Sequence, residues 1–314
     1  MRHSLGSRIV VLNYNGEKLL GQCLPSILEA SRQSKAPCRV TVIDNVSQDR
    51  SLEVLARNFP EVEVYRAKEN RVLCSFNEYL KQMAEPVALL LNNDIRVDAG
   101  FVDPLVAFFE NDPDLFMVTP RCLSFDGSRY EGGRCKGRIK YGLFWSASVF
   151  PGYEAGILDS GYTLAAGFGA FDRKKFLELG GYDDLYLPGR LEDTDLCFRA
   201  WQRGWKCVYE PRSVVYHQGA TSFNQRFGSK KTLIIGHRNS FLFFWKNMTD
   251  LGYWLEHFLF VAPRILFAAL TGKSELAAGF LEALPLLPQA LKKRGDARRE
   301  KKVQSDRKIF AMVG

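Results

Sequence analysis

The sequence predicts an α/β fold in which a mostly parallel sheet carries helices on both faces. Along the first 110 residues, short aliphatic runs alternate with segments whose apolar residues follow helical spacing, the order typical of parallel sheets. The aliphatic runs are apolar throughout, which indicates strands that are buried on both faces. The length of 314 residues suits one large domain with an appendage.

The individual elements follow from these patterns and from turn and cap residues between them. We predict strands over 8–13, 39–44, 62–65 and 87–91, and helices over 19–30, 51–58, 75–83 and 101–110. Residues 120–160 have weak periodicity, so we expect irregular strands and loops that line a pocket. The predicted elements that follow are strands over 167–171, 206–209 and 214–217 and a helix over 194–203.

The composition changes after residue 247, so we assign 1–247 to the main domain and 248–314 to a C-terminal helical extension. The apolar run 254–270 is interrupted by Pro263 and Arg264, and we predict that it does not span a membrane. Six of the eight net positive charges lie in 292–308. Broken apolar helices before a basic run predict a tail on an anionic membrane surface. The alternative is an extension packed on the core.

The rest of the composition limits the location and the partners. Seven cysteines form no CxxC pair, which indicates free thiols in a reducing compartment. No apolar segment precedes the first strand, so we expect no signal peptide. Because the body outside the tail is nearly neutral, we expect no nucleic-acid partner.

Two acidic clusters lie where an α/β protein binds ligands. Glu192, Asp193 and Asp195 occupy a predicted helix start, where free N–H groups offset negative charge. Asp94 follows the strand 87–91, at the strand end where open α/β sheets bind ligands. The two clusters suggest one site for a metal and one for a proton; the alternative for each is a helix cap.

Further amides and carboxylates follow the other predicted strands, and all would meet at one edge of a parallel sheet. They suit the base and ribose of a nucleotide, with the diphosphate left to a divalent cation. The sequence holds neither a GxGxxG turn nor a GxxxxGK[ST] loop. These strand-end residues are Asn13, Asn15, Asp44, Asn45, Asn70, Asn77 and Asn93.

Together these motifs resemble the inverting glycosyltransferase family 2, with its Rossmann-like GT-A fold, and its bacterial rhamnosyltransferase branch. The resemblance runs from residue 9 to about 247. It departs from the family at Asn92, where many relatives have Asp, and at Val72, where Gly is frequent. The motifs that carry it are IVVLNYNG (9–16), VIDNVSQD (42–49), LLLNND (89–94), GRLEDTDLCFR (189–199), VYH (215–217) and HRN (237–239).

The resemblance implies roles for the acidic clusters. Asp94 would bind Mg²⁺ or Mn²⁺, and His217 would be a metal ligand or a phosphate donor. Asp193 would be the general base that takes a proton from the acceptor hydroxyl, with Glu192 as its nearest rival. We expect crowding by Glu192 and Asp195 to raise the pKa of Asp193.

The other implied roles concern the nucleotide sugar and the acceptor. Asp44 would accept hydrogen bonds from the base or ribose, and Arg238 would neutralise the leaving diphosphate. Asn13, Asn15, Asn45, Asn70, Asn77 and Asn93 would complete the donor site. The reaction would be one inverting displacement onto a hydroxyl of a saccharide or lipid-linked acceptor. The resemblance places it in surface polysaccharide or lipopolysaccharide synthesis, in a cytoplasmic protein peripheral to the inner membrane.

Two other functions remain open at this stage. A nucleotidyltransferase would need a Gly-rich basic loop after the first strand, and the residues there are Asn13-Tyr14-Asn15-Gly16-Glu17. A non-catalytic protein could use the tail to bind nucleic acid or membranes. The acidic clusters argue against a purely binding role.

Overall fold

The first half of the fold is a parallel sheet with helices between its strands, as predicted. The computed structural model describes residues 5–165, 167–218, 227–298 and 302–314. The strands are β1 (Ser7–Asn13), β2 (Cys38–Asp44), β3 (Glu63–Arg66) and β4 (Val87–Asn92). The helices are α1 (Glu17–Gln33), α2 (Ser51–Asn58), α3 (Ser75–Gln82) and, after the short β5 (Ile95–Val97), α4 (Val102–Asn111). β1 lies between β2 and β4 and is parallel to both.

The second half of the sheet is mixed. Its strands are β6 (Leu115–Ser124), β7 (Tyr130–Gly132), β10 (Gly161–Tyr162), β11 (Gly169–Asp172) and β12 (Lys206–His217), and β8 (Lys136–Lys140) and β9 (Leu143–Ala147) form a separate hairpin. The order is β10-β12-β6-β11-β4-β1-β2-β3, with β5 beside β12 and β7 beside β6. β11 runs antiparallel to both β4 and β6, whereas β12 is parallel to β6.

The prediction of two strands at 206–209 and 214–217 is wrong, because β12 is one strand of 12 residues. Its register shifts between Glu210 and Val214. Pro211 lies in this irregular stretch, and a proline, which has no N–H to donate, is tolerated at a bulge.

Alternating residues of the central strands face two separate apolar cores. Val10 of β1 belongs to one core and Val11 to the other, so the strand is buried on both faces. All seven cysteines are free thiols, and six of them are buried.

The remaining helices close one side of the sheet. They are α5 (Arg173–Glu178), α6 (Glu192–Gln202), α7 (Ser229–Asn247), α8 (Leu251–Leu270), α9 (Ser274–Ala283), α10 (Leu287–Arg298) and α11 (Asp306–Val313). α9 and α10 pack on α7, and Ile309, Phe310 and Val313 of α11 reach the main core. Much of the predicted tail is therefore packed on the body, the alternative left open by the sequence.

The expectation that Pro263 and Arg264 make α8 too short to span a membrane is wrong. The helix continues through both residues for 20 residues, and its length and composition would suffice to cross a membrane. Only 17% of its most apolar stretch is buried. Pro263 has no backbone N–H, so one hydrogen bond of the helix is missing there, but the helix continues on both sides of it.

The basic run 292–308 is also partly engaged with the body. Lys293 pairs with Asp183 at 2.7 Å, Arg307 pairs with Asp250 at 2.7 Å, and Arg294 donates to the carbonyl of Trp245. Residues 299–301 of this run lie outside the described residues.

Candidate active site

A cavity of about 1460 Å³ opens at the edge of the sheet where β6 and β12 end. Its walls come from 119–149, from the loop before β11, from the start of α6 and from the end of β12. Asp193 and His217 both line it, together with Glu131 of β7. The structure thus brings one predicted catalytic residue and one predicted metal ligand into the same cavity.

The predicted metal residues lie side by side. The two atoms Asp94 Oδ2 and His217 Nε2 are 3.4 Å apart, and the other ring nitrogen of His217 is 3.4 Å from Glu131 Oε2. This follows from the fold, because His217 is the last residue of β12 and pairs with Ile95, which directly follows Asp94.

The donor atoms at this position fit a divalent cation. Asp94 Oδ1 is buried and has no hydrogen-bond partner among the described residues. Ligand atoms of Cys122, Glu131 and His217 lie within 4.8 Å of one another. Carboxylate oxygens with one imidazole suit Mg²⁺ or Mn²⁺. Burial raises the pKa of the Cys122 thiol, so the oxygens and the imidazole are the ligands that fit best.

The pKa of His217 is raised overall. Burial acts to lower the pKa, but the hydrogen bond and charge of Asp94, with the charge of Glu131, outweigh it. This surplus of negative charge around one imidazole is the environment that a bound cation would neutralise.

Asp193 and Glu192 begin α6, directly after two residues with positive φ, Arg190 and Leu191. Asp193 Oδ1 accepts hydrogen bonds from the amide and hydroxyl of Thr194. Burial raises the pKa of Asp193, against the hydrogen bonds from Thr194 and the charge of Arg190. Arg190 is a further part of the cavity wall that was not predicted from the sequence, although it lies in the motif 189–199.

Glu192 is half-buried, and its Oε2 is a buried atom with no hydrogen-bond partner among the described residues. Burial, followed by the charge of Asp193, raises the pKa of Glu192 well above its usual range. Asp193 lines the large cavity and Glu192 does not. The geometry therefore favours Asp193 over its rival as the group that meets an acceptor.

Asp195 does not crowd Asp193 as expected. Its carboxylate is buried and accepts hydrogen bonds from Arg199, Lys246 and the Tyr186 hydroxyl at 2.7–2.8 Å. Its negative charge is therefore neutralised on the side away from the cavity. The expectation that crowding raises the pKa of Asp193 is wrong in its cause, because burial is the main one.

The strand-end residues of β1, β2 and β4 also come together. Asn13 donates to Ser47 Oγ at 3.2 Å and lies 3.5 Å from Asp44 Oδ1, while Asn93 donates to Asn13 at 2.8 Å. Gly16 allows this approach, since a Cβ there would lie only 2.1 Å from the Asn93 amide.

A second group of polar residues extends this edge. Asn45 donates to Asn70 at 2.9 Å and accepts from Ser75. Asn15 accepts from the amide of Gln48 and donates its own amide to Ser47. Their contact with a nucleotide stays a prediction.

The side chains of Asn77 and Arg238 form hydrogen bonds to the backbone of 182–187, and not to the strand-end residues described above. Asn77 donates to the carbonyl of Tyr182 and accepts from its amide. Arg238 donates to the carbonyl of Leu187 at 2.6 Å, and its neighbour Asn239 donates to the carbonyls of Gly189 and Arg190. In this arrangement both predicted donor-site residues shape the segment before α6.

The comparison with protein families decides the classification. The model of the family described as "Glycosyl transferase family 2" matches residues 8–180, more than half of the chain. The chain belongs to this family. Its fold is the GT-A fold, as predicted from the sequence.

Curated relatives of this family 2 chain include animal enzymes. It is 24% identical over 175 residues to a putative polypeptide N-acetylgalactosaminyltransferase 10 of Drosophila melanogaster, covering 53% of this chain and 28% of the relative. It is 25% identical over 247 residues to N-acetylgalactosaminyltransferase 7 of the same organism, covering 72% and 42%. The chain thus spans less than half the length of these relatives. These similarities do not distinguish the predicted rhamnosyltransferase branch from other branches of the family.

Solved structures share the fold at low identity. GalNAc-T7 with UDP, GalNAc and Mn²⁺ has a TM-score of 0.57 and 21% identity, over 76% of this chain and 48% of that one. TarS 1–349 of S. aureus has a TM-score of 0.55 and 15% identity, over 93% and 83%. The mannosyltransferase PcManGT of Pyrobaculum calidifontis, in complex with GDP-Man and Mn²⁺, has a TM-score of 0.52 and 15% identity, over 94% and 74%.

Proposed function

We propose that this family 2 chain transfers a sugar from a nucleoside-diphosphate sugar to an acceptor hydroxyl with inversion at the anomeric carbon. The observation that carries the proposal is that Asp193 and His217 line one cavity while His217 contacts Asp94. A proton acceptor and a candidate cation site therefore face the same space. The strand ends that carry Asn13, Asp44 and Asn93 would bind the nucleotide. Asn93 directly precedes Asp94, so this part of the site is next to the candidate cation site.

Asp94 and His217 would hold Mg²⁺ or Mn²⁺, with Glu131 beside them. A divalent cation supplies charge neutralisation for the leaving diphosphate. Two solved relatives contain Mn²⁺ together with UDP or GDP-Man, which supports the same donor chemistry here. The protein's contribution is to hold the carboxylates of Asp94 and Glu131 close to the imidazole of His217.

Asp193 would remove the proton from the attacking hydroxyl. Its raised pKa makes it a stronger base than an exposed aspartate, and its Oδ1 is oriented by Thr194. The oxygen of the acceptor then forms a bond to the anomeric carbon as the bond to the nucleoside diphosphate breaks. One displacement inverts the configuration, and no nucleophile from the protein is needed.

We place the acceptor, a saccharide or a lipid-linked saccharide of surface polysaccharide synthesis, at the cytoplasmic face of the inner membrane. The support is a group of large apolar side chains that α8 exposes to solvent, because contiguous exposed apolar surface is typical of a membrane or protein contact. The basic run 292–308 follows it in sequence. The exposed residues are Leu251, Leu255, Phe258, Leu259, Phe260, Leu266, Phe267 and Leu270.

The test of the transfer reaction is nucleoside diphosphate release from a panel of nucleotide sugars, with and without Mn²⁺, followed by NMR of the product's anomeric configuration. We expect turnover with one donor base and inverted product. Retention of configuration, or no release from any donor, would refute the proposal.

The metal role of Asp94 has its own test. Asp94→Ala should abolish turnover and Mn²⁺-dependent binding of the nucleoside diphosphate, because it removes the buried oxygen ligands. Asp114→Ala, at an exposed position before β6 and outside the cavity wall, is the matched control and should keep both. Near-normal activity of Asp94→Ala in excess EDTA would contradict the assignment.

Membrane attachment is tested by co-sedimentation with anionic vesicles. Leu255→Gln with Phe258→Gln should weaken binding, whereas Leu158→Gln, on an exposed loop, should not. A truncation after residue 247 is a poor test, because it removes Phe310 from the main core. Equal binding by all three proteins would exclude α8 as the attachment site.

A further inference from the structure

A second groove, of about 310 Å³, lies between the β8–β9 hairpin and α7. One part of its wall is apolar and the other part carries positively charged or imidazole groups. The apolar side chains are Leu143, Phe144, Trp145, Leu191 and Leu233; the basic ones are Lys140, Arg190, His237 and Arg264.

The groove carries net positive charge. Among the residues that the structure describes, none that lines it is an acid. Burial, followed by the charge of Arg264, lowers the pKa of His237, against a smaller effect of Glu275. The imidazole is therefore neutral at pH 7, and Lys140, Arg190 and Arg264 supply the charge.

Arg264 is also fixed in place. It donates to the carbonyls of Lys140 and Tyr141 at 3.0 and 2.8 Å, which joins α8 to the hairpin. Glu256 of α8 is the nearest acid from this helix, and its carboxylate accepts from the amide of Gly142. An apolar trough with fixed cations is complementary to a phosphate that carries an apolar chain.

The groove connects the catalytic cavity with the exposed face of α8. Ser146, Arg190 and Leu191 line both the groove and the cavity that holds Asp193. Arg264 of α8 also lines the groove, and Tyr141, which follows the lining residue Lys140, contacts Phe260 of α8 with 5.9 Å between ring centroids. A chain lying in the groove would therefore lead from the α8 face toward the base.

We propose that this groove binds the phosphate and the first part of the lipid chain of a phospholipid-linked acceptor, so that its sugar hydroxyl reaches Asp193. The inference rests on the proposed function and specifies its acceptor class. Arg190, at the junction of the two spaces, would contact the phosphate, and the wall formed by Trp145 and Leu233 would contact the chain.

The probe is farnesyl phosphate, with farnesol and inorganic phosphate as comparison ligands, in calorimetric titrations. Lys140→Gln with Leu233→Gln changes two exposed groove residues outside the catalytic machinery. Lys174→Gln with Leu158→Gln is the matched control on exposed positions elsewhere.

We expect the groove double variant to bind farnesyl phosphate about tenfold more weakly, which corresponds to about 1.4 kcal/mol. The control should bind as the wild type does, and farnesol and phosphate alone should bind at least about tenfold more weakly than farnesyl phosphate. Equal binding by both double variants, or equal affinity for farnesol, would overturn the inference.

Two further measurements separate this inference from its alternatives. Loss of phosphatidylglycerol vesicle binding by the groove variant, with unchanged farnesyl phosphate affinity, would overturn it in favour of bulk lipid headgroups. Donor turnover by the wild type tests the proposed function independently. Intact turnover with groove-independent farnesyl phosphate binding would refute the acceptor groove alone.

Discussion

Asp193 and Asp195 lie two residues apart in the first turn of α6, yet their surroundings are opposite. Asp193 faces the large cavity with a raised pKa, and among the described residues its side chain receives hydrogen bonds from its neighbour Thr194 alone. Asp195 is enclosed by Arg199 and Lys246, and their charges hold its pKa below the usual range despite burial. The Asp193 carboxylate can therefore meet a substrate, whereas the Asp195 carboxylate stabilises the fold through its ion pairs.

The difference follows from helix geometry and from where the cations lie. Residues two apart on a helix point in nearly opposite directions. Lys246 comes from α7 and Lys293 from α10, and both approach the side of Asp195 and Asp183. The chemical character of an acidic cluster is therefore decided by tertiary partners, and not by how crowded the acids are in sequence.

Among substitutions outside the two aspartates themselves, the largest effect on stability should come from removing the cation shared by the structural acids. The Lys246 side chain is only 3% exposed and bonds to both Asp183 and Asp195. Lys246→Met should lower the free energy of unfolding by about 3 kcal/mol, the lower end for a broken buried pair, since Arg199 still pairs with Asp195. Urea denaturation measures this, and Lys231→Met, from an exposed pair with Glu282, should cost under about 1 kcal/mol. Equal losses would contradict the distinction.

Glu192→Gln should have a smaller, pH-dependent effect. Burial raises the pKa of Glu192 to about 8 from 4.5, so between these values the folded protein retains a proton that the unfolded chain loses. Stability of the wild type then falls as pH rises through this window. The variant should gain stability relative to the wild type between pH 5 and pH 8 in urea denaturation, and it should keep most of its activity at pH 7. For the exposed control Glu154→Gln, the stability difference from the wild type should be constant with pH. A constant difference for Glu192→Gln would contradict the prediction.

The smallest effect should come from Lys293. Its side chain is 30% exposed, and its partner Asp183 remains paired with Lys246 when it is removed. Lys293→Met should cost about 1 kcal/mol, measured in the same urea experiments. A loss as large as that of Lys246→Met would show that α10 holds the segment before α6 more firmly than its exposure indicates.

The sequence predicted those parts of the fold that depend on local pattern. Continuous aliphatic runs such as 87–91 identified buried strands, and the polar residues after them identified the edge where Asp94 and His217 meet. The direction of β11 was not predictable, because an apolar run does not encode whether its neighbours are parallel. Glu131 was missed because it lies in the stretch 120–160, which has no period.

The part of the site that the local pattern does not predict depends on long-range partners. Lys246 contacts Asp195 across 51 residues of sequence, and nothing in the local pattern pairs them. Asn77 and Arg238 were assigned to the donor from a resemblance, whereas their bonds to Tyr182 and Leu187 appear only when the chain is folded.

The most direct test of the division between chemistry and structure compares Asp193→Asn with Asp195→Asn in turnover and urea denaturation. Asp193→Asn should lower turnover by about 10²–10⁴-fold, as for loss of a positioned base, while its stability equals or exceeds that of the wild type. Asp195→Asn should lose about 3–5 kcal/mol of stability and far less turnover per folded molecule. Full activity of Asp193→Asn, or wild-type stability of Asp195→Asn, would contradict the account.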